Sequence, residues 1–376
     1  MNFDLSEEQQ MLVDSIGKFL QNDYAFDVRR KLAKSELGFS RDNWKMYAEL
    51  GWLSVPFSAD NGGFGGSTVD LMLMHEQFGK AMVVEPLIPT LILGGRLIEL
   101  LGNATQKEAL LSAVIQGELQ LALASNERVA RNNPAIVATT ARRDGNDYVI
   151  NGEKIVVLNG HAADKLLVTA RTSGAQDAAD GISVFVVDAD AAGVERTVYP
   201  TVDGLRAADI RFSNVRVPAA NLLGAEGAAY TAVETVIDEA TLALCAEAVG
   251  AMEVMYKTTV EYTKTRKQFG MPIGKFQVLQ FRMVDMFIAH EQSKSMIYMA
   301  ALRALEGRDA ARKAISAAKV QIGKASRKVG QEAIQLHGGM GMTDELNVGY
   351  YFKRVTAFDA LFGNVDYHLE RYTRVA

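Results

Sequence analysis

One cysteine, Cys245, stands in 376 residues, so no intrachain disulfide is possible. It lies in an apolar helical run, where a cysteine packs as a small hydrophobe rather than reacting. The five histidines are scattered singly, with no His-Glu-x-x-His pattern, and no metal site is expected. Long apolar runs are missing: each is short or carries charge, so no membrane span is expected. Met1-Asn2-Phe3-Asp4-Leu5 has no signal or transit character, and a cytoplasmic location is the default expectation. The net positive charge of a nucleic-acid binder is absent too, the formal charge being −5. What remains is a chain with 48% hydrophobic residues, long enough for two or three domains and a large core.

The chain opens with helical signals. Ser6-Glu7-Glu8-Gln9 is a capping box, and Met11, Leu12, Ile16, Phe19 and Leu20 mark an apolar stripe behind it. Gly62-Gly63-Phe64-Gly65-Gly66 lacks the Lys-Ser/Thr and the preceding strand of a phosphate loop, so it reads as a turn. Met72 and Met74 near Phe78 read as core packing. Near Glu118 the period changes. Leu119 to Ser125 reads as a strand, and Asn151-Gly152 between two apolar runs predicts a hairpin turn. Further strands are expected at 166–168, 182–187, 194–199 and 209–217. They predict a compact β domain over 119–228. Helical periodicity returns from 229 and predicts a bundle.

Between two of these late helices lies Thr-Arg-Lys-Gln-Phe-Gly-Met-Pro-Ile-Gly-Lys-Phe-Gln, residues 265–277. On composition it is a helix–loop–helix with a charged C-cap; it is also one way to hold a pyrophosphate and an adenine. Arg266-Lys267-Gln268-Phe269-Gly270 with Phe276-Gln277 resembles the flavin-binding signature of the acyl-CoA dehydrogenase family. Gln335-Leu336-His337-Gly338-Gly339-Met340-Gly341 resembles the second signature of that family, in the right order and at about the right separation. Phe3-x-Leu5-Ser6-Glu7-Glu8-Gln9, Asn151-Gly152-Glu153-Lys154 and Phe212-x3-Arg216-Val217-Pro218 are similar to the family's opening and middle segments. The resemblance implies an α+β, mainly α fold. It has an N-terminal α-helical domain (1–118), a middle β domain (119–228) and a C-terminal four-helix bundle (229–376).

The resemblance also implies FAD as cofactor, an acyl-CoA substrate, and electrons passed to an electron-transfer flavoprotein. It implies a homo-oligomer, dimer or tetramer, or a hetero-oligomer with a second family member. The glycine loop would touch the ADP half of a flavin held mainly by a neighbouring subunit, so that the two signatures close on one dinucleotide across a subunit boundary. Cofactor contacts are carried over to Asn126, Arg266, Gln268, Phe269, Phe276, Gln277, Gln335, Gly338, Gly339 and Asn364. Relatives remove a proton from the α carbon of the thioester while the β hydride passes to the flavin; this needs a poised carboxylate.

At the usual base position this chain has Phe362 or Gly363, and neither can take a proton. At the alternative position, on the helix before Arg266, it has Ala240. Glu239 is adjacent, one helical step of about 100° away. Glu247 lies two turns on, in an apolar run, where it is either a base with a raised pKa or a structural carboxylate paired with a bundle cation. Asp366 is a third possibility, with first-turn charge on the last helix as its plain role. The ring half of the flavin site departs as well: Asn126-Glu127-Arg128 replaces Thr-Glu-Pro, and Val156-Val157-Leu158-Asn159 replaces Trp-Ile-Thr-Asn. These departures resemble the small-subunit, pimeloyl-CoA-dehydrogenase-like branch, which acts on dicarboxylyl or ring-bearing acyl-CoAs. The alternatives are a non-catalytic partner subunit, or another flavin reaction of oxygenase or nitroalkane oxidase type on the same scaffold.

Overall fold

Ser6 starts the first helix as its sequence dictates. Its Oγ accepts the Gln9 N–H at 3.2 Å, and Gln9 Oε1 accepts the Ser6 N–H at 3.1 Å, a reciprocal cap that contributes about 1 kcal/mol. The fold is that of a computed structural model, which describes residues 4–374. Phe3, part of the opening motif, lies outside them.

Among the described residues six α-helices come first: α1 (Glu7–Asp23), α2 (Phe26–Lys34), α3 (Arg41–Glu49), α4 (Thr68–Ala81), α5 (Arg96–Leu101) and α6 (Ala104–Ile115). Then come strands β1 (Leu121–Ala124), β2 (Thr140–Asp144), β3 (Asp147–Leu158), β4 (Lys165–Arg171), β5 (Ile182–Asp188), β6 (Val194–Pro200), β7 (Arg206–Pro218) and β8 (Leu222–Leu223). The chain closes with α7 (Tyr230–Thr265), a two-strand ribbon β9 (Lys267–Gln268) and β10 (Met271–Pro272), then α8 (Gln277–Arg303), α9 (Arg308–His337), α10 (Val348–Ala360) and α11 (Val365–Arg374). This is the expected α+β order of helices, sheet and helical bundle. Contacts divide the chain differently, into two units. One takes the chain up to Lys31, Ser67–Val83 and everything from Thr241; the other takes Leu32–Gly66 and Val84–Ala240.

Within the first unit α9 is the central element, packed on α8, α10 and α11. Helix α4 packs on α1, α7 and α8. Ile16 and Phe19 of α1 are buried, but Met11 is 70% exposed. Five residues turn a helix by about 140° from Ile16, off the buried face. Helices α4 and α7 meet backbone to backbone. A Cβ on Gly79 would stand 2.1 Å from the Glu247 carbonyl oxygen, and one on Gly250 would stand 2.0 Å from that of Glu76.

In the second unit the sheet runs β6-β7-β3-β2-β4-β5-β8, with β1 beside β4. The β1–β4 pair is parallel and β3–β7 antiparallel. Its core is built from Tyr148, Ile150, Val168, Phe185, Ile210 and Phe212, among others. The hairpin expected at Asn151-Gly152 is not there: both residues lie inside β3. The β2–β3 turn falls at Gly145-Asn146, with Asp144 opposite Asp147. Asn151-Gly152 instead marks a bulge against β7, where Asn151 Oδ1 accepts the Asn214 N–H at 2.8 Å. Gly152 is required because a Cβ would stand 2.5 Å from Thr139 Oγ1.

Candidate functional site

Helix α7 stops at Thr265, and the chain turns at once into the ribbon. Phe269 and Gly270 form its two-residue turn, with φ of 53° and 78°, the left-handed pair that a tight hairpin of this length needs. Phe269, at the tip, is 88% exposed and meets Phe276 edge-on at 6.0 Å. Helix α9 stops at His337. Gly338, at φ 59°, donates its N–H to the carbonyls of Gln335 and Ile334, a glycine stop.

These two stops line one pocket of about 510 Å³, in the usual range for small-molecule sites. Its wall includes Arg266, Gln268, Gln335, Gly338 and Gly339. Both signatures therefore line one pocket of this chain. Phe269, Phe276 and Gln277 are not among the lining residues.

Tyr262, Arg282 and His337 line the pocket as well. His337 stacks on Tyr262 with ring centroids 4.3 Å apart. Its Nδ1 lies 2.8 Å from the Ala333 carbonyl and must carry the proton, because a carbonyl only accepts. Burial pushes its pKa down, so the ring is neutral, and the buried Nε2 is left without a partner. Arg282 is engaged by Glu332 at 3.2 Å, whereas Arg266 has no ion-pair partner among the described residues. A Cβ on Gly338 or Gly339 would meet nothing within 4 Å. An unpaired guanidinium, exposed amides and two glycines that leave the wall bare fit the diphosphate and adenosine of a dinucleotide. Tyr262 precedes Arg266 by one helical turn, a spacing that marks it in the sequence once the Arg266 signature is recognised.

The three carboxylates considered as bases are placed otherwise. Glu247 accepts at Oε1 from His75 Nδ1 at 3.1 Å and pairs at Oε2 with Arg354. Burial pushes its pKa up, but Arg354 and His75 outweigh burial and hold the carboxyl below its usual range. A base with a raised pKa is thus not what the geometry makes of it. Glu239 is gripped bidentately by Arg96, at 3.0 and 3.1 Å. Asp366 is exposed in the first turn of α11.

Glu99, Glu127 and Glu253 are also held low. Burial opposes this in each; the Ser58 N–H and the Asn61 amide, then Arg96, overcome it at Glu99, and Lys154 with the Thr139 N–H at Glu127; Glu253 falls to about 2 through Lys257 and Lys80. The unfolded carboxylates take up protons near 4.5, before the folded ones do. Their stabilisation is complete above that pH and drains as pH falls through the folded values. The urea midpoint is therefore expected to be flat from pH 7 to 5 and to fall steeply toward pH 2. A midpoint unchanged at pH 3 would contradict these pairings.

Turn 361–364 between α10 and α11 holds no acid. Phe362 is left-handed at φ 56° and Gly363 lies at φ 101°; a Cβ on Gly363 would stand 2.3 Å from the Tyr367 ring. Asn364, carried over as a cofactor contact, is exposed and caps α11, its Oδ1 accepting the Tyr367 N–H at 2.9 Å.

In the sheet unit, Asn126 is half-buried and its carbonyl accepts the Ile155 N–H at 2.9 Å. The loop that carries it is anchored by Glu127, which takes the buried Lys154 ammonium at 2.7 Å and the N–H groups of Ala138 and Thr139. Val156 sits at φ 51°, costly for a β-branched residue, with its N–H held by Asp209 at 3.0 Å. No aromatic and no hydroxyl stands at 156–158.

The acyl-CoA dehydrogenase N-terminal, middle and C-terminal domain models match residues 6–118, 122–215 and 214–376. The chain is 31% identical over 353 residues to the probable acyl-CoA dehydrogenase YngJ of Bacillus subtilis, covering 93% of this chain and 92% of that one. The solved structure of PigA with FAD and proline superposes with a TM-score of 0.92 at 28% identity, over 100% of this chain and 98% of that one. The Tcur3481-Tcur3483 steroid ACAD gives 0.87 at 28% identity, over 98% and 97%. With three domain models in order across nearly its whole length and this relative above 30% identity, the chain belongs to the acyl-CoA dehydrogenase family.

Proposed function

We propose that this chain binds FAD, the cofactor of its family, and works in the α,β-desaturation of an acyl-CoA thioester, with electrons passed to an electron-transfer flavoprotein. The observation that carries the reading is the single pocket lined by Arg266, Gln268, Gln335, Gly338 and Gly339. Arg266 would balance the diphosphate, the two glutamine amides would bond its polar edge, and the glycines let it approach the backbone. When bound, FAD supplies the two-electron acceptor for the hydride that leaves the β carbon. The chain's own residues would orient the thioester and exclude water.

A second reading has its own observation. Phe362 or Gly363 stands where the family's base would be, while Glu247 and Glu239 are ion-paired. On that reading the chain is the partner subunit of a heteromeric dehydrogenase and holds the ADP half of a flavin while a second chain removes the proton. Stoichiometric FAD in the purified protein, bleached by an acyl-CoA without oxygen, selects the first reading. Colourless protein that gains activity only with a second chain selects the second. Arg266→Ala is expected to weaken FAD retention about tenfold, the loss of one charge-assisted contact. Unchanged flavin content after gel filtration would remove Arg266 from the site.

A further inference from the structure

Lys319 of α9 is a fully buried cation. Its Nζ donates to the carbonyls of Phe358 and Leu361, the latter at 2.9 Å, and lies 3.7 Å from the centre of the Phe358 ring. These carbonyls are among those that the end of α10 leaves unpaired. The next carbonyl, that of Phe362, accepts from His368 Nε2 at 2.9 Å, and His368 Nδ1 lies 3.3 Å from Ser316 Oγ of α9. Burying an ammonium is costly even when it is hydrogen-bonded. A glycine stop of the kind that ends α9 would have closed α10 without that cost. The grip is therefore specific to where the turn after α10 stands.

We propose that Lys319 is a positioning residue: through its charged ammonium it fixes the Leu361–Gly363 turn, the segment at which the family's proton-abstracting carboxylate would sit, in one conformation. This rests on the desaturase reading only for its consequence in activity.

The groups facing Lys319 are few. They are Cys245 on α7, Asp359 on α10 and His368 on α11, with Arg371 behind the histidine. Asp359 is engaged by Arg327 at 2.6 Å. Burial pushes the Cys245 thiol up to about 12 and His368 down to about 3, so neither changes charge near neutrality. Burial brings the Lys319 ammonium down to about 8, and it alone in this group loses a proton between pH 7 and 9.5. A neutral amine donates more weakly than an ammonium, so the grip loosens across that interval.

The test is hydrogen exchange on the full chain, followed in peptides spanning 358–368. There the N–H groups of Tyr367 and His368 are bonded to Asn364. Lys319→Met keeps the shape and removes the donors. It is expected to lower protection in these peptides about a hundredfold and to leave α8 peptides as in the wild type. The wild type is expected to lose protection, after correction for intrinsic rates, as pH rises from 7 to 9.5, and Lys319→Met to show no such change. Lys319→Gln, which keeps a donor without a titrating charge, should restore part of the protection and stay flat with pH. Equal protection in wild type and Lys319→Met, or a pH dependence that survives in the variant, overturns the proposal. If Lys319→Met does not fold, a wild type with constant protection from pH 7 to 9.5 overturns it alone. Where the wild type desaturates an acyl-CoA, Lys319→Met should lower kcat/KM with flavin content unchanged. A wild type inert toward acyl-CoA counts against the desaturase reading and leaves the exchange result to decide this one.

Discussion

Gly339→Val is expected to give a folded protein without flavin. A Cβ at this position meets nothing within 4 Å, and the backbone there is not left-handed, so the substitution strains neither packing nor chain. A surface change of this kind shifts stability by about 0.5 kcal/mol or less. The branched side chain would project into the space that Arg266, Gln268 and Gln335 face. Displacing a ligand from a fitted wall costs about 1–3 kcal/mol, a roughly ten- to hundredfold loss of FAD affinity. Absorbance in the flavin band per mole of protein reads the effect, and an unchanged thermal midpoint separates it from unfolding. Gly339→Val that keeps stoichiometric flavin would mean that the pocket holds something else.

Glu247→Ala is expected to be the most destabilising single change among the three carboxylates considered as bases. It takes the carboxylate away from the Arg354 guanidinium, whose side chain is 12% exposed, and from His75, which is buried as well. Removing one partner of a buried ion pair costs about 3–5 kcal/mol. Replacing both partners with apolar residues, as in Glu247→Leu with Arg354→Leu, is expected to recover most of that loss. Urea unfolding of the two variants, with a double-mutant cycle, reads the coupling directly. If Glu247→Ala left the midpoint in place but abolished acyl-CoA bleaching, the carboxylate would be the missing base and the structural account would be wrong.

The two predictions also show where the sequence is readable. The signatures at 265–277 and 335–341 are legible through the family resemblance, which local order carries: a charged helix end, a glycine stop and a fixed order of small residues. The strands and the opening cap are readable for the same reason. Glu247 is different. Its partners lie 172 and 107 residues away, and nothing in its apolar neighbourhood tells a raised carboxyl from one held low by His75 and Arg354. Asn151-Gly152 misleads because the same dipeptide serves a tight turn and a bulge; only the Asn214 amide across the ladder decides between them. At Asn364 a helix cap and a cofactor contact ask for the same side chain, so the sequence alone does not separate them.

The crossing of α4 and α7 at Gly79 and Gly250 limits how this bundle can move. With carbonyl oxygens already where a methyl group would stand, no side chain lies between the two helices to change rotamer and open a gap. Breathing across the crossing is blocked, and sliding along the axes is the freedom that remains. Any rearrangement that accompanies ligand entry on this side of the molecule would take the form of shear, and it would pull on the Glu247 contacts, which tie α7 to His75 of α4 and Arg354 of α10.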